Sequence, residues 1–144
     1  MPGRETRQAK VGKMTPQDLD TMARTIWGEA RGESFEGKIA VAWVIKNRAD
    51  NPGWWGHEIA GVCRAPWQFS CWLENDPNRV KLLAVGASDS SLKECLAVTA
   101  GVLTGIYADP TGDSNHYHTV GISPKWSIGQ KPNAKIGAHL FFKL

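Results

Sequence analysis

Three glutamates stand close together early in the chain: Glu29, Glu33 and Glu36. Spaced four and three apart, they would share one face of a continuous helix. Gly28 and Gly32 interrupt that continuity, so a solvated acidic patch at a helix junction is the plain alternative. Glu29 differs from its neighbours. It follows Trp27-Gly28 at the C-terminal end of an apolar stripe. The negative end of a helix dipole and an aromatic neighbour in sequence would both favour its protonated form. A carboxyl that keeps its proton near neutral pH can act as general acid on a leaving oxygen.

The histidines are His57, His116, His118 and His139. His116 and His118 would point to one side of a strand, which suits a metal pair or a polar cleft wall. No HExxH or other third-ligand signature accompanies them, so no metal is expected and the cleft wall is preferred. Ser70, His118 and Asp113 could be assembled into a triad, but no GxSxG elbow supports one. No GxGxxG or GxxxxGK[ST] opens a phosphate site, and no cofactor is expected. Cys63 and Cys71 lie eight apart and Cys95 is alone. Reduced, buried thiols or a Cys63–Cys71 bridge formed after export both fit, and the absence of CxxC argues against a zinc knuckle.

The chain that positions these groups has 144 residues, a mass of 15.8 kDa, 42% hydrophobic and 22% charged residues. That fits one globular domain and excludes a disordered chain, a collagen-like repeat and a coiled coil. No apolar run approaches the roughly 18 residues that cross a bilayer, so no stable membrane insertion is expected. The formal charge of +3 is compatible with an anionic surface such as a bacterial wall and is weak evidence for nucleic acid, which is not expected as a partner. Seven tryptophans in so short a chain are many. Some must be core, and indole faces also stack on sugar rings.

Residues 1–14 read as a flexible basic lead-in without an apolar core segment, hence no secretory signal peptide. Thr15-Pro16-Gln17-Asp18 is an N-cap with Pro at N1 and an acidic N3. Leu19, Met22, Ala23, Ile26 and Trp27 follow at helical spacing, predicting a helix over about 16–31 with Gly32 as its stop. Ser34 caps a second helix over about 35–49, nearly apolar all round and therefore deep in the core. Trp67-Gln68-Phe69-Ser70-Cys71-Trp72 alternates apolar and polar and predicts a short strand or hairpin. Asp76-Pro77 opens a third helix to about Gly86, and Ser90 or Ser91 a fourth to about Leu103. The last forty residues read as loops and short strands, with one strand over Ala138 to Phe142. The fold class is α+β and mostly helical, with a small irregular β part lining a cleft.

Trp27-Gly28-Glu29-Ala30-Arg31-Gly32-Glu33, followed by Gly37-Lys38-Ile39-Ala40-Val41-Ala42-Trp43-Val44-Ile45-Lys46-Asn47-Arg48, resembles the opening of the SleB/CwlJ-type cell-wall hydrolases, the spore-cortex-lytic enzymes. Gln68-Phe69-Ser70 and Asn115-His116-Tyr117-His118, with Pro124 and Trp126 behind, agree in family order, and the likeness covers about residues 15 to 143. It implies that residues 15–144 form one catalytic domain with a lysozyme-like fold, related to lytic transglycosylases. It implies cleavage of the β-1,4 bond between N-acetylmuramic acid and N-acetylglucosamine in peptidoglycan glycan strands. The family's catalytic acid falls on Glu29.

What the resemblance implies for the remaining residues is more open. After bond cleavage Glu29 can take a proton from the sugar's own C6 hydroxyl, giving a 1,6-anhydromuramic end with no second protein carboxylate needed, as in a lytic transglycosylase, or from a water, giving a reducing end, as in a hydrolytic muramidase; Asp76, Asp109 and Asp113 are the candidates for a second carboxylate. Tyr117 would orient Glu29 or the sugar. Gln68 and Ser70 would hydrogen-bond glycan groups, His116 and His118 would wall the cleft, and Trp126 and Trp67 would offer apolar faces. Core positions for Tyr117 and Trp126, and solvent-facing ones for Gln68 and Ser70, are the alternatives. A single catalytic domain without a leader looks like a bacteriophage endolysin: a monomer made in the host cytoplasm, reaching the wall through a holin lesion. The competing classes are a non-catalytic glycan-binding module and a zinc amidase or peptidase using His116 and His118.

Overall fold

The computed structural model describes residues 14–65 and 68–144. The basic lead-in before Met14 and the ring of Trp67 lie outside the described residues. Among the described residues five helices carry the core: α1 (Pro16–Ala30), α2 (Phe35–Asp50), α3 (Ile59–Arg64), α4 (Pro77–Ala84) and α5 (Ser90–Leu103). A small sheet follows, formed by β1 (His116–Thr119), β2 (Ala134–Ile136) and β3 (His139–Phe142). Its order is β1-β3-β2, antiparallel throughout, with Tyr117 opposite Phe141.

Helix α1 starts where the sequence places it. Asp18 N–H donates to Thr15 Oγ1 at 3.1 Å and Thr15 N–H to Asp18 Oδ2 at 3.0 Å, a reciprocal capping box. The helix stops at Ala30, ahead of Gly32, and a turn separates it from α2. Glu29 therefore sits in the last turn of α1, Glu33 in the turn, and Glu36 on an exposed face of α2. The three glutamates do not share a face.

Helix α2 is buried along almost its whole length, and so are four of its polar side chains, Lys38, Lys46, Asn47 and Arg48. Burial of such groups requires partners. Lys38 Nζ meets Glu94 at 2.8 Å, and Asn47 Nδ2 donates to Ser114 O at 3.0 Å. These contacts tie the central helix to α5 and to the loop before β1. Met22, Ile26, Val41, Val44, Ile45, Val98 and Val102 fill the space between α1, α2 and α5.

The segment before α4 differs from expectation. Residues 70–72 form a 3-10 turn, Ser70–Trp72, not a strand. Phe69 and Cys71 are buried and Ser70 is exposed, so a tight turn reproduces the alternation of a strand. The turn is anchored by Trp72 Nε1, which donates to Thr25 Oγ1 of α1 at 2.9 Å. Helix α4 ends at Ala84, before Gly86, and α5 is capped by Asp89, whose Oδ2 accepts from Leu92 N–H at 2.7 Å, not by Ser90 or Ser91. Helix α3 was not foreseen. All three cysteines are free and buried, so Cys63 and Cys71 are not bridged. No helix of the described residues is long and apolar enough to cross a membrane.

Candidate active site

A cleft of about 370 Å³ opens between the end of α1, the 3-10 segment, the start of α4 and the sheet. Its walls include Gly28, Glu29, Arg48, Gln68, Ser70, Asn78, Tyr117, His118, Thr119, Ile122 and His139. Glu29 is the sole carboxylate among these lining residues.

Each oxygen of Glu29 has a donor from a different part of the chain. Tyr117 Oη donates to Oε1 at 2.8 Å. Cys71 N–H points at Oε2 across a longer 3.4 Å. The close approach of the 3-10 turn to α1 depends on Gly28: a Cβ there would stand 2.8 Å from Cys71 Cβ and 2.9 Å from its Sγ. The tight packing of Trp27-Gly28-Glu29 against Cys71 thus explains the glycine directly before the carboxylate. Trp27, by contrast, turns away to donate through Nε1 to Asp89 at 3.2 Å. The aromatic group touching Glu29 is Tyr117.

Tyr117 packs among Phe69, His139 and Phe141, with ring centroids 6.4, 4.9 and 5.7 Å away. Burial first, and then the neighbouring Glu29 carboxylate, push its phenol well above the usual range. The hydroxyl accordingly stays protonated and serves as a fixed donor to Glu29. Burial pushes the His139 imidazole down, against the pull of Glu33. Its Nδ1 lies 3.6 Å from Glu33 Oε1. Glu33 Oε1 in turn accepts from Ala138 N–H at 3.0 Å, so this second glutamate of the motif pins the β2–β3 turn.

Arg48 is buried beside the cleft. Its Nε donates to Asn115 O at 2.7 Å, just before β1. The guanidinium lies over both Phe69 and Trp55, 5.3 Å from each ring centroid. Burial lowers its pKa to about 10, opposed by nearby Tyr117, which leaves it charged at neutral pH. Arg48 therefore ties together the two segments that hold the Glu29 oxygens.

The structure brings Glu29, Gln68, Ser70, Tyr117 and His118 to the cleft. His116 and Trp126 are not among its lining residues. They pack behind His118, with Trp126 5.0 Å from His116 and 5.5 Å from His118. His116 Nδ1 shares a 2.8 Å hydrogen bond with Asn115 Oδ1, and His118 Nδ1 one of 2.8 Å with Thr119 O. The two histidines are thus engaged in ring packing, His116 with a side-chain and His118 with a backbone hydrogen bond, and no grouping of metal-ligating side chains occurs among the described residues. Asp76, Asp109 and Asp113 lie outside the lining set. Asp76 caps α4 through Asn78 N–H, and Asp109 gathers Thr111, Asn47 and Asp113 into a loop hub. Residue-level reading of the sequence missed Arg48, Asn78 and His139. The signal for Arg48 was a charged side chain near the end of a helix read as deep in the core; His139 was noted only as one of four histidines, and Asn78 carried no signal.

The sequence model of the cell-wall hydrolase family matches residues 32–142. This chain belongs to the cell-wall hydrolase family. The matched stretch begins at Gly32, with Glu29 just ahead of it. Similarity to individual members of the family reaches further. The spore cortex-lytic enzyme of Oceanobacillus iheyensis is 32% identical over 133 residues, covering 88% of this chain and 41% of that protein. The spore cortex-lytic enzyme of Bacillus subtilis is 29% identical, covering 90% of this chain and 39% of that one. This chain thus spans about two-fifths of the length of these relatives. Among solved structures, the catalytic domain of the germination-specific lytic transglycosylase SleB from Bacillus anthracis superposes with a TM-score of 0.69 at 27% identity. The match covers 91% of this chain and 98% of that domain. The catalytic domain of the Bacillus cereus SleB protein gives the same TM-score and identity, over 90% and 92%. The cell-wall hydrolase fold seen here is therefore that of the SleB catalytic domain.

Proposed function

We propose that this chain cuts peptidoglycan glycan strands at the β-1,4 bond between N-acetylmuramic acid and N-acetylglucosamine, as a lytic transglycosylase, with Glu29 as acid and then base. The observation that carries this reading is the position of Glu29. It is the sole carboxylate among the residues lining the cleft, and Tyr117 Oη fixes one of its oxygens at 2.8 Å.

Protonated Glu29 donates its proton to the glycosidic oxygen as the C1–O bond breaks through an oxocarbenium-like transition state. The resulting carboxylate is held by the Tyr117 hydroxyl and the Cys71 N–H, donors already aimed at it before charge develops. It then takes the proton of the muramic C6 hydroxyl as that oxygen closes on C1. No water is consumed, and Glu29 ends protonated as it began. The intramolecular nucleophile removes the need for a second carboxylate. Gln68 and Ser70 offer polar groups at the mouth of the cleft and His118 forms part of its wall. Trp126 and His116 support that wall from behind.

The test is mass spectrometry of fragments from purified peptidoglycan. Muropeptides lighter by one water than hydrolysed ones, and not reduced by borohydride, carry the reading. Reducible muramic ends would make the enzyme a hydrolytic muramidase. New free amines with the glycan uncut, in a reaction stopped by EDTA, would replace it with a zinc amidase. Binding without any product would leave a glycan-binding module. Glu29→Gln should lower turnover by orders of magnitude with the fold intact.

A further inference from the structure

Asn78 stands in the first turn of α4 and forms part of the cleft wall with Glu29. Its backbone N–H is already used, donating to Asp76 Oδ1 at 2.8 Å. Its side-chain oxygen is also used: Arg31 Nη2 donates to Oδ1 at 2.9 Å. Arg31 is itself immobilised. Its Nη1 donates to Trp27 O at 3.2 Å, and its guanidinium lies 4.2 Å over the Trp27 ring.

A guanidinium has only donors, so it selects one of the two orientations of the Asn78 amide. The oxygen must face Arg31, and the NH2 must face away. That NH2 makes no hydrogen bond among the described residues. With its oxygen turned to Arg31, the NH2 is the side-chain group that Asn78 has left for a ligand in the cleft it lines. A donor-only group suits an acceptor-only ligand group. Glycan hydroxyls both donate and accept, so they can adapt to a donor or to an acceptor. The acetamido carbonyl oxygen only accepts, so a group fixed as donor matches it and mismatches a donor in its place.

We propose that Asn78 is a specificity residue that reads the N-acetyl group of an amino sugar beside the scissile bond, its NH2 donating to the acetamido oxygen. The inference rests on the glycan-cleaving reading above. De-N-acetylated sugar would bring an ammonium donor to the Asn78 donor, which disfavours it.

The test compares wild type, Asn78→Ala and Asn78→Asp on two purified peptidoglycans, one fully N-acetylated and one de-N-acetylated. The wild-type enzyme should prefer the acetylated wall. Asn78→Ala should lose roughly tenfold or more in kcat/KM on it, with little change on the de-N-acetylated wall, so the preference collapses. In Asn78→Asp the new carboxylate pairs with Arg31 and presents an acceptor to the cleft, so the loss on acetylated wall should be at least as large. Circular dichroism and Tm establish that each variant folds, and Asn78→Asp decides the matter if Asn78→Ala does not. An unchanged preference in folded variants of an active enzyme would overturn the role of Asn78 alone. A wild-type enzyme that cuts neither wall would overturn the glycan-cleaving reading and this inference with it.

Discussion

Tyr117 and Glu29 are 88 residues apart in sequence and 2.8 Å apart in space, hydroxyl to Oε1. Burial and the adjacent carboxylate push the phenol well above its ordinary range, so at neutral pH the hydroxyl keeps its proton and stays a donor to Glu29. Tyr117→Phe keeps the ring packing on Phe141 and removes only that donor. It should reduce kcat on purified peptidoglycan by about tenfold to a hundredfold, with KM and Tm nearly unchanged. An unchanged kcat would return Tyr117 to a packing role.

Gly28 is required by contact. The added methyl of Gly28→Ala would meet Cys71 at 2.8 Å and Leu82 at 3.1 Å. Neither neighbour is free to retreat, since Cys71 and Leu82 are both fully buried. Overpacking of this kind costs about 1–3 kcal/mol. Displacement of the 3-10 turn should also withdraw Cys71 N–H from Glu29. Thermal unfolding and turnover should therefore fall together; a variant as stable and active as wild type would contradict the packing described.

The two motif glutamates should separate cleanly. Glu33 fastens the turn before β3 through Ala138, where Gly137 has φ +58 and a side chain would run into Glu33. Glu33→Gln should cost about 1 kcal/mol of stability. It should leave kcat within about tenfold of wild type, whereas Glu29→Gln leaves stability intact and removes turnover. Equal losses of turnover in the two variants would place Glu33 in the chemistry.

Low pH should strain the support behind the cleft. Burial, and then the charge of Arg48, lower the His116 pKa from 6.5 to about 4. Between those values the unfolded chain binds more protons than the folded one, so stability rises with pH across this window. It is lost as pH falls from 6.5 towards 4, and the lowered pKa of His139 acts in the same direction. His116→Gln should flatten the decline of Tm over this range. A slope identical to wild type would exclude His116 as its source.

The thiols should be inert in the native protein. Burial raises Cys63 to about 12 and Cys95 to about 11, and Cys71 further. Thiolate is the reactive form, so iodoacetamide should label none of the three before unfolding and all three after it. Reductant should leave activity unchanged.

How much of this was legible beforehand depends on how local the signal was. Thr15, Pro16 and Asp18 specify the start of α1 within four residues, and the structure uses them as read. The identity of Glu29 as the residue to watch came from its place at the end of that helix. The segment over Ser70–Trp72 reads as a strand because Phe69, Ser70 and Cys71 run buried, exposed, buried, and a period of two over so few residues fits the entry to a 3-10 turn as well as a strand. Helix α3 escaped because it has six residues and its N-cap, Glu58, makes no side-chain cap bond. Asn78 and His139 were invisible for a different reason. Their roles come from Arg31 and Glu33, partners brought close only by tertiary packing.

One consequence concerns timing. During synthesis Glu29 leaves the ribosome long before Tyr117, and Tyr117 sits on β1, whose single neighbour in the sheet is β3, residues 139–142. The hydroxyl that meets Glu29 is therefore carried by a strand whose sheet partner lies more than about a hundred residues beyond the carboxylate. Under the glycan-cleaving function proposed above, the acid is translated well before the residues that seat its partner, so full turnover should depend on that late pairing.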